Sequence, residues 1–156
     1  ACGIFAYTFA APCATRADDR HDPRFDNIFN VVNEADIVTQ LPLSSWGFGR
    51  YGSTITLPST VSADFDDSYA IVQTAYQRNT GYALGCDEDD FATLSTFGST
   101  ASTRVPTLDA LVSPLGIVGA VQSLLGLDLS AALTAHHPDT YIAWMQAGAA
   151  DQPASA

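Results

Sequence analysis

The chain has 156 residues, enough apolar content for one domain with a sizeable core, and 17 acidic residues against six arginines and no lysine. Its formal net charge of −11 argues against nucleic acid and anionic membranes as partners, because both reward basic patches. Cys2, Cys13 and Cys86 are three, so at least one lacks a partner within the chain; with no CxxC or Cys/His spacing they read as small buried thiols, and no metal or cofactor is called for.

The chain begins without Met and without a charged segment leading into an apolar one, so its start reads as an internal cut. Ile4 to Ala10 is the first expected strand, ended by Pro12, which cannot donate to a ladder. A polar connection, Thr15 to Asp26, holds His21 among charges of both signs, where a histidine is an ordinary surface residue without a role. Ile28 to Val32 is a β-branched and aromatic run of strand length without alternation, which suits a buried strand. Asn33, Glu34 and Asp36 crowd its carboxyl end. In open α/β sheets chemistry sits just beyond such ends, so Asp36 is a candidate catalytic carboxylate, although by local pattern a solvated turn aspartate is the commoner case. Glycines interleave with aromatics from Trp46 to Gly49 as a loop at a pocket mouth, and Tyr51 to Leu57 alternates as a third strand stopped by Pro58.

The remainder is helical in pattern. Ser62 is the expected cap of a helix whose stripe is Phe65, Tyr69, Val72 and Tyr76 and whose stop is Gly81. Cys86 to Asp90 reads as a solvated acidic turn, since it lacks the alternating oxygen ligands and the glycine of a calcium loop. Leu94 to Thr107, rich in Ser, Thr and Gly, reads as a loop. Ser113 and Pro114 then start a helix with Ile117, Val118, Val121, Leu124 and Leu125 on one face. Leu108 to Leu133 is broken by polar residues and glycine too often to span a membrane. Leu129 to Ala135 adds a short turn. The last helix starts at His137 and Pro138, packs Tyr141, Ile142 and Met145 inward and stops at Gly148, before a poorly ordered tail, Asp151 to Ala156.

Three segments carry a family resemblance. VVNEADIVTQLPLSSWGFGRYG, from Val31 to Gly52, resembles the segment around the triad aspartate of class 3 (fungal triacylglycerol lipase-type) α/β hydrolases, with Asp36 on the aspartate. YTFAAP, Tyr7 to Pro12, resembles the preceding strand, with Ala10 where a glycine is usual and Cys13 where an arginine is usual. HHPDTYIAWM, His136 to Met145, resembles the segment in which the triad histidine precedes the last helix and a tyrosine follows. The family spacing selects His136 over His137, which takes a place often held by a small residue and caps the helix. Together the matches cover about a third of the chain, in family order.

The resemblance implies the C-terminal part of an α/β-hydrolase in a single domain, 1–156, with a doubly wound, mostly parallel sheet. Residues 58–135 would form a mainly helical insertion, lining or covering an acyl site or simply packing on the sheet. It further implies ester or lipid substrates, a secreted or cell-surface setting, and Asp36 and His136 as orienting acid and base of a Ser-His-Asp triad. The third member has no counterpart: there is no GxSxG, and the 35 residues before Asp36 contain no serine. The leading expectation is therefore part of a serine ester hydrolase, lipase or esterase, whose nucleophile and oxyanion hole come from an upstream segment of the same protein. The alternative is a non-catalytic binding or interaction module on the same scaffold. A free-standing hydrolase using Cys2 or Cys13 has no elbow glycines to support it.

Overall fold

The structure, a computed structural model, describes residues 3–16, 22–57, 63–124 and 126–150. Cys2, His21, the expected cap Ser62, Leu125 and the tail from Asp151 lie outside them. Among the described residues the chain is mixed α/β, with five short strands and seven α-helices. Strands β1 (Ala6–Phe9), β3 (Ile28–Val32) and β5 (Ser53–Thr56) form a parallel sheet in the order β1-β3-β5. Its register pairs Phe9 with Val31 and Val32 with Thr56. β3 is central for the reason its sequence suggests: the neighbours Val31 and Val32 point to opposite faces and both are buried. Asn30 is buried among them because its side chain crosslinks the sheet, accepting from Thr8 Oγ1 (2.7 Å) and donating to the Tyr51 carbonyl (2.7 Å).

β1 is the open side of this sheet. Among the described residues no strand pairs with its outer edge, and Ile4, Phe5, Tyr7 and Phe9 are exposed. The glycine–aromatic loop contributes a feature that periodicity did not suggest: Phe48–Gly49 (β4) pairs antiparallel with Thr15–Arg16 (β2), and the Arg16 guanidinium lies 5.2 Å from the Phe48 ring centroid.

The main core lies between β3 and the helices. Helix α1 (Phe65–Thr80) buries Phe65, Tyr69 and Val72 of the expected stripe, leaves its fourth member, Tyr76, half-buried, and ends at Gly81, whose left-handed φ of +79° suits glycine. It packs on α7 (Pro138–Ala150), where Trp144 joins an aromatic cluster with Phe65, Tyr69 and Phe91 at centroid separations of 5.0–6.3 Å. The Tyr69 hydroxyl donates to the Cys86 carbonyl. On α7 the sequence reading needs correction: Tyr141 is buried, but Ile142 and Met145 are half-exposed, and Ala143, Trp144 and Ala147 fill the inner face. Nor does Gly148 stop the helix, which runs on to Ala150.

Two segments expected to be irregular are helical. The acidic turn is the start of α2 (Glu88–Ser95): the Asp87 carboxylate accepts from the Asp90 amide, and the Asp90 carboxylate accepts from the Asp87 amide. The Ser/Thr-rich stretch forms α3 (Phe97–Arg104), because Phe97 and Ala101 bury against Leu43 while Ser99 and Thr103 hydroxyls donate back to helix carbonyls. Two short helices, α4 (Leu108–Leu111) and α6 (Leu129–His136), flank α5 (Pro114–Leu124). Helix α5 starts at Pro114 as expected, and the apolar face named from the sequence is its outward one. Its buried residues are Gly116, Gly119 and Ser123, while Ile117, Val118, Val121 and Leu124 are about half exposed. The reason is steric: a Cβ at Gly116 would lie 1.7 Å from the Ala110 carbonyl oxygen, so only the small-residue face can approach α4 this closely.

Candidate functional site

The carboxyl end of β3 turns through Asn33 into Asp36, which caps a short 3₁₀ helix, Ile37–Gln40. From the other end of the chain, α6 stops at His136 because His137 precedes Pro138 and is held in extended backbone (ψ 139°), a conformation that a following proline favours. The structure thereby brings together two residues one hundred positions apart: His136 Nδ1 lies 2.9 Å from Asp36 Oδ2.

Asp36 is not a solvated turn residue; its exposure is 0%. A carboxylate taken out of water needs partners for its lone pairs, and Asp36 has three. Oδ1 accepts from the Val38 amide (2.9 Å), and Oδ2 accepts from the Tyr141 hydroxyl (2.7 Å) while facing His136. The Tyr141 oxygen in turn accepts from the Asn33 amide (3.1 Å), so a single phenol joins the end of β3, the acid and α7. Burial and, after it, the Asp36 charge push the Tyr141 hydroxyl far above the ordinary tyrosine range, which keeps it a neutral donor at any physiological pH.

The histidine is positioned from both sides. Asn33 Nδ2 donates to the Ala135 carbonyl (3.1 Å), tying the last turn of α6 to the end of β3. Thr140 Oγ1 donates to the Thr134 carbonyl (2.6 Å), tying the same turn to α7. Facing a carboxylate, which offers only acceptors, Nδ1 carries the hydrogen, and Nε2 is the nitrogen left with a lone pair. Among the described residues Nε2 has no hydrogen-bond partner, and the side chain remains 41% exposed. His136 lines an open cleft of about 730 Å³ whose other walls include Phe9, Leu133, Tyr141, Ile142 and Met145. A base nitrogen beside an apolar cleft of this size suits an acyl or similarly apolar substrate.

His137 behaves as expected for a cap. Its Nδ1 lies 3.4 Å from the Asp139 amide nitrogen and 3.2 Å from the Asp139 carboxylate at the start of α7, accepting from the amide when neutral and pairing with the carboxylate when protonated. Ala10, standing where the resembling strand carries glycine, adopts φ +56° at the cleft wall, a left-handed conformation that costs a non-glycine residue of order 1 kcal/mol. Cys13 is buried and its Sγ donates to the Thr39 carbonyl (3.4 Å), apart from the dyad. Among the described residues no group of three or more His, Cys, Asp or Glu side chains is placed to hold a metal ion.

Two members of this arrangement escaped the sequence reading. The apolar pattern places Tyr141 on an inner face without showing that its hydroxyl bonds Asp36 and the Asn33 backbone N–H. In the sequence Asn33 is only part of the polar crowding at a strand end, and a lone amide immediately after two apolar valines is the signal available there. The chain matches no family model, no curated protein and no solved structure.

Proposed function

We propose that this chain is the acid–base half of a serine ester hydrolase of the α/β-hydrolase type, resembling class 3 lipases. His136 Nε2 takes the nucleophile's proton and returns it to the leaving alcohol, and Asp36 fixes the Nδ1–H tautomer and stabilises the imidazolium formed on the way. Tyr141 and Asn33 are positioning residues: they hold the Asp36 carboxylate and the last turn of α6 and touch no substrate. The single observation that carries the reading is the 2.9 Å contact between a fully buried carboxylate and Nδ1 of a histidine whose other nitrogen is free beside an apolar cleft.

The nucleophilic serine and the oxyanion donors belong, on this reading, to a segment of the same protein preceding residue 1. The strand bearing them continues the sheet along the outer edge of β1, where Phe5, Tyr7 and Phe9 are exposed. The ester substrate sits over the apolar cleft.

The test is labelling of the longest natural protein that contains this chain with a fluorophosphonate probe. The expected result is stoichiometric modification of one serine preceding residue 1, slowed at least a hundredfold by His136→Ala. Absence of labelling in folded protein, or labelling indifferent to that substitution, overturns the proposal.

A further inference from the structure

Arg50 follows β4 directly and stands between two pinned neighbours: Gly49 pairs with Thr15 across the β2–β4 ribbon, and the Tyr51 carbonyl accepts from Asn30 Nδ2 (2.7 Å). Its half-buried guanidinium is thereby aimed at backbone. Nε donates to the Ala11 carbonyl (2.6 Å) and Nη2 to the Thr39 carbonyl. The chain holds 17 acids against six arginines, yet no carboxylate among the described residues lies within ion-pair distance of Arg50. A guanidinium that bonds two carbonyls in preference to an abundance of carboxylates is a crosslink, because its planar fork fixes both acceptors at once.

The two acceptors belong to the two segments that meet at the dyad. Ala11 follows the exit of β1, where Phe9 and Ala10 wall the cleft beside His136. Thr39 is buried in the 3₁₀ turn that Asp36 caps, and it reaches back to the acid: its amide (3.1 Å) and its Oγ1 (2.8 Å) both donate to the Asp36 carbonyl. Cys13 reinforces the same junction, its amide donating to the Leu41 carbonyl (2.8 Å) and its Sγ to that of Thr39 (3.4 Å). Val38 and Tyr141 hold the carboxylate group itself, and the junction at Arg50 holds the turn beneath it. The Arg50 charge also reaches the Tyr141 hydroxyl, where it acts against the rise that burial and the Asp36 charge impose. We propose that Arg50 is a positioning residue for the Asp36–His136 pair, its fork locking the turn that carries the acid to the cleft wall at the exit of β1. This role rests on the acid–base reading of the pair but is measured on the pair's own hydrogen bond.

The test follows the His136 Nδ1–H proton by NMR in the 156-residue chain. Held against a buried carboxylate, this hydrogen leaves for water only when the hydrogen bond opens, so its exchange rate reports how firmly the turn is held. Arg50→Lys keeps the charge and loses the fork. It should speed the exchange by about tenfold or more while the ¹⁵N shifts still report the Nδ1–H tautomer. Val72→Ala, in the main core, should leave the rate within about twofold of the parent even though it lowers Tm. Because the chain has no lysine, O-methylisourea converts the variant's one side-chain amine to a guanidinium, which restores a fork and should restore slow exchange. Where Arg50→Lys does not fold, the same conversion in urea before refolding should return the folded chain. A smaller acceleration overturns the role, as does one that Val72→Ala reproduces, or a variant that guanidination neither refolds nor returns to slow exchange. A parent with no protected Nδ1–H overturns the acid–base pair as well, whereas a protected Nδ1–H indifferent to Arg50→Lys overturns this role alone.

Discussion

Replacing Asp36 by Asn keeps the side chain's shape and reverses half of its hydrogen bonding, which makes it the most direct probe of the dyad. The amide oxygen can still accept from Val38, but the amide nitrogen then stands where Oδ2 accepts from Tyr141 and faces His136 Nδ1. Two contacts of the kind that contribute roughly 1.5–3 kcal/mol each when one partner is charged are lost, offset by no longer burying a charge, so the net destabilisation should be about 1–3 kcal/mol. The larger effect is on the proton. Opposite an N–H donor, Nδ1 must accept, and the hydrogen moves to Nε2, leaving no lone pair toward the cleft. On the proposed reading, the wrong tautomer should lower kcat of the longer protein about 10⁴-fold, equivalent to about 5.4 kcal/mol of transition-state stabilisation. In this chain alone, long-range ¹H–¹⁵N NMR of His136 should report the Nδ1–H tautomer for the parent and the Nε2–H tautomer for Asp36→Asn. The same tautomer in both proteins, or activity within tenfold of the parent, would refute the role given to Asp36.

Tyr141→Phe should cost about 1–3 kcal/mol in urea unfolding, since it leaves the buried Asn33 amide and Asp36 Oδ2 each short of a partner. Because burial raises the Tyr141 pKa in the folded state above the ordinary value of about 10, its contribution is complete below about pH 10 and is lost as pH rises further; between about pH 10 and 11 stability should fall by about 1 kcal/mol less in Tyr141→Phe than in the parent. Burial, helped by Asp90 and Asp87, pushes the Cys86 thiol up to about 12, so iodoacetamide at pH 8.5 should spare Cys86 in the native chain and modify it in urea; equal rates would show the thiol to be accessible. Gly116→Ala should lower Tm by about 2–8 °C, because overpacking against a backbone oxygen, the Ala110 carbonyl, falls at the upper end of such costs, about 2–3 kcal/mol, and outweighs a helix-propensity gain of at most about 1; a raised Tm would refute the close α4–α5 approach.

The parts of the fold that were legible are those where one local signal dominates. Ile28 to Val32 is a strand in both readings, because a β-branched run buried on both faces has few other ways to satisfy its backbone. The Phe65, Tyr69 and Val72 stripe and the glycine after it locate the body and end of α1, while its start lies at Phe65 after Asp64 rather than directly after Ser62. The failures arise where tertiary contact overrides composition. Ser and Thr from 95 to 103 look irregular until Phe97 and Ala101 find Leu43. On α5 the apolar arc was identified but its direction was not, since hydrophobicity says which residues share a face and not whether that face is inside; the decisive residues were the glycines. On α7 the same ambiguity exchanged Ile142 and Met145 for Trp144.

The same asymmetry separates the two readings of the site. Packing alone does not call for a buried carboxylate: burying one costs several kcal/mol, and apolar residues of similar volume at Asp36, Tyr141 and His136 would serve packing as well or better. The chain instead surrounds Asp36 with three hydrogen-bonding partners and spends two further side-chain hydrogen bonds, from Asn33 and Thr140, on holding the turn that carries His136. That expenditure positions a single imidazole nitrogen at an open apolar cleft, an arrangement that stability does not require and proton transfer does. The physical economy of the site therefore weighs for the acid–base reading. It also makes the His136 tautomer, rather than the overall stability, the property by which the two readings are best distinguished.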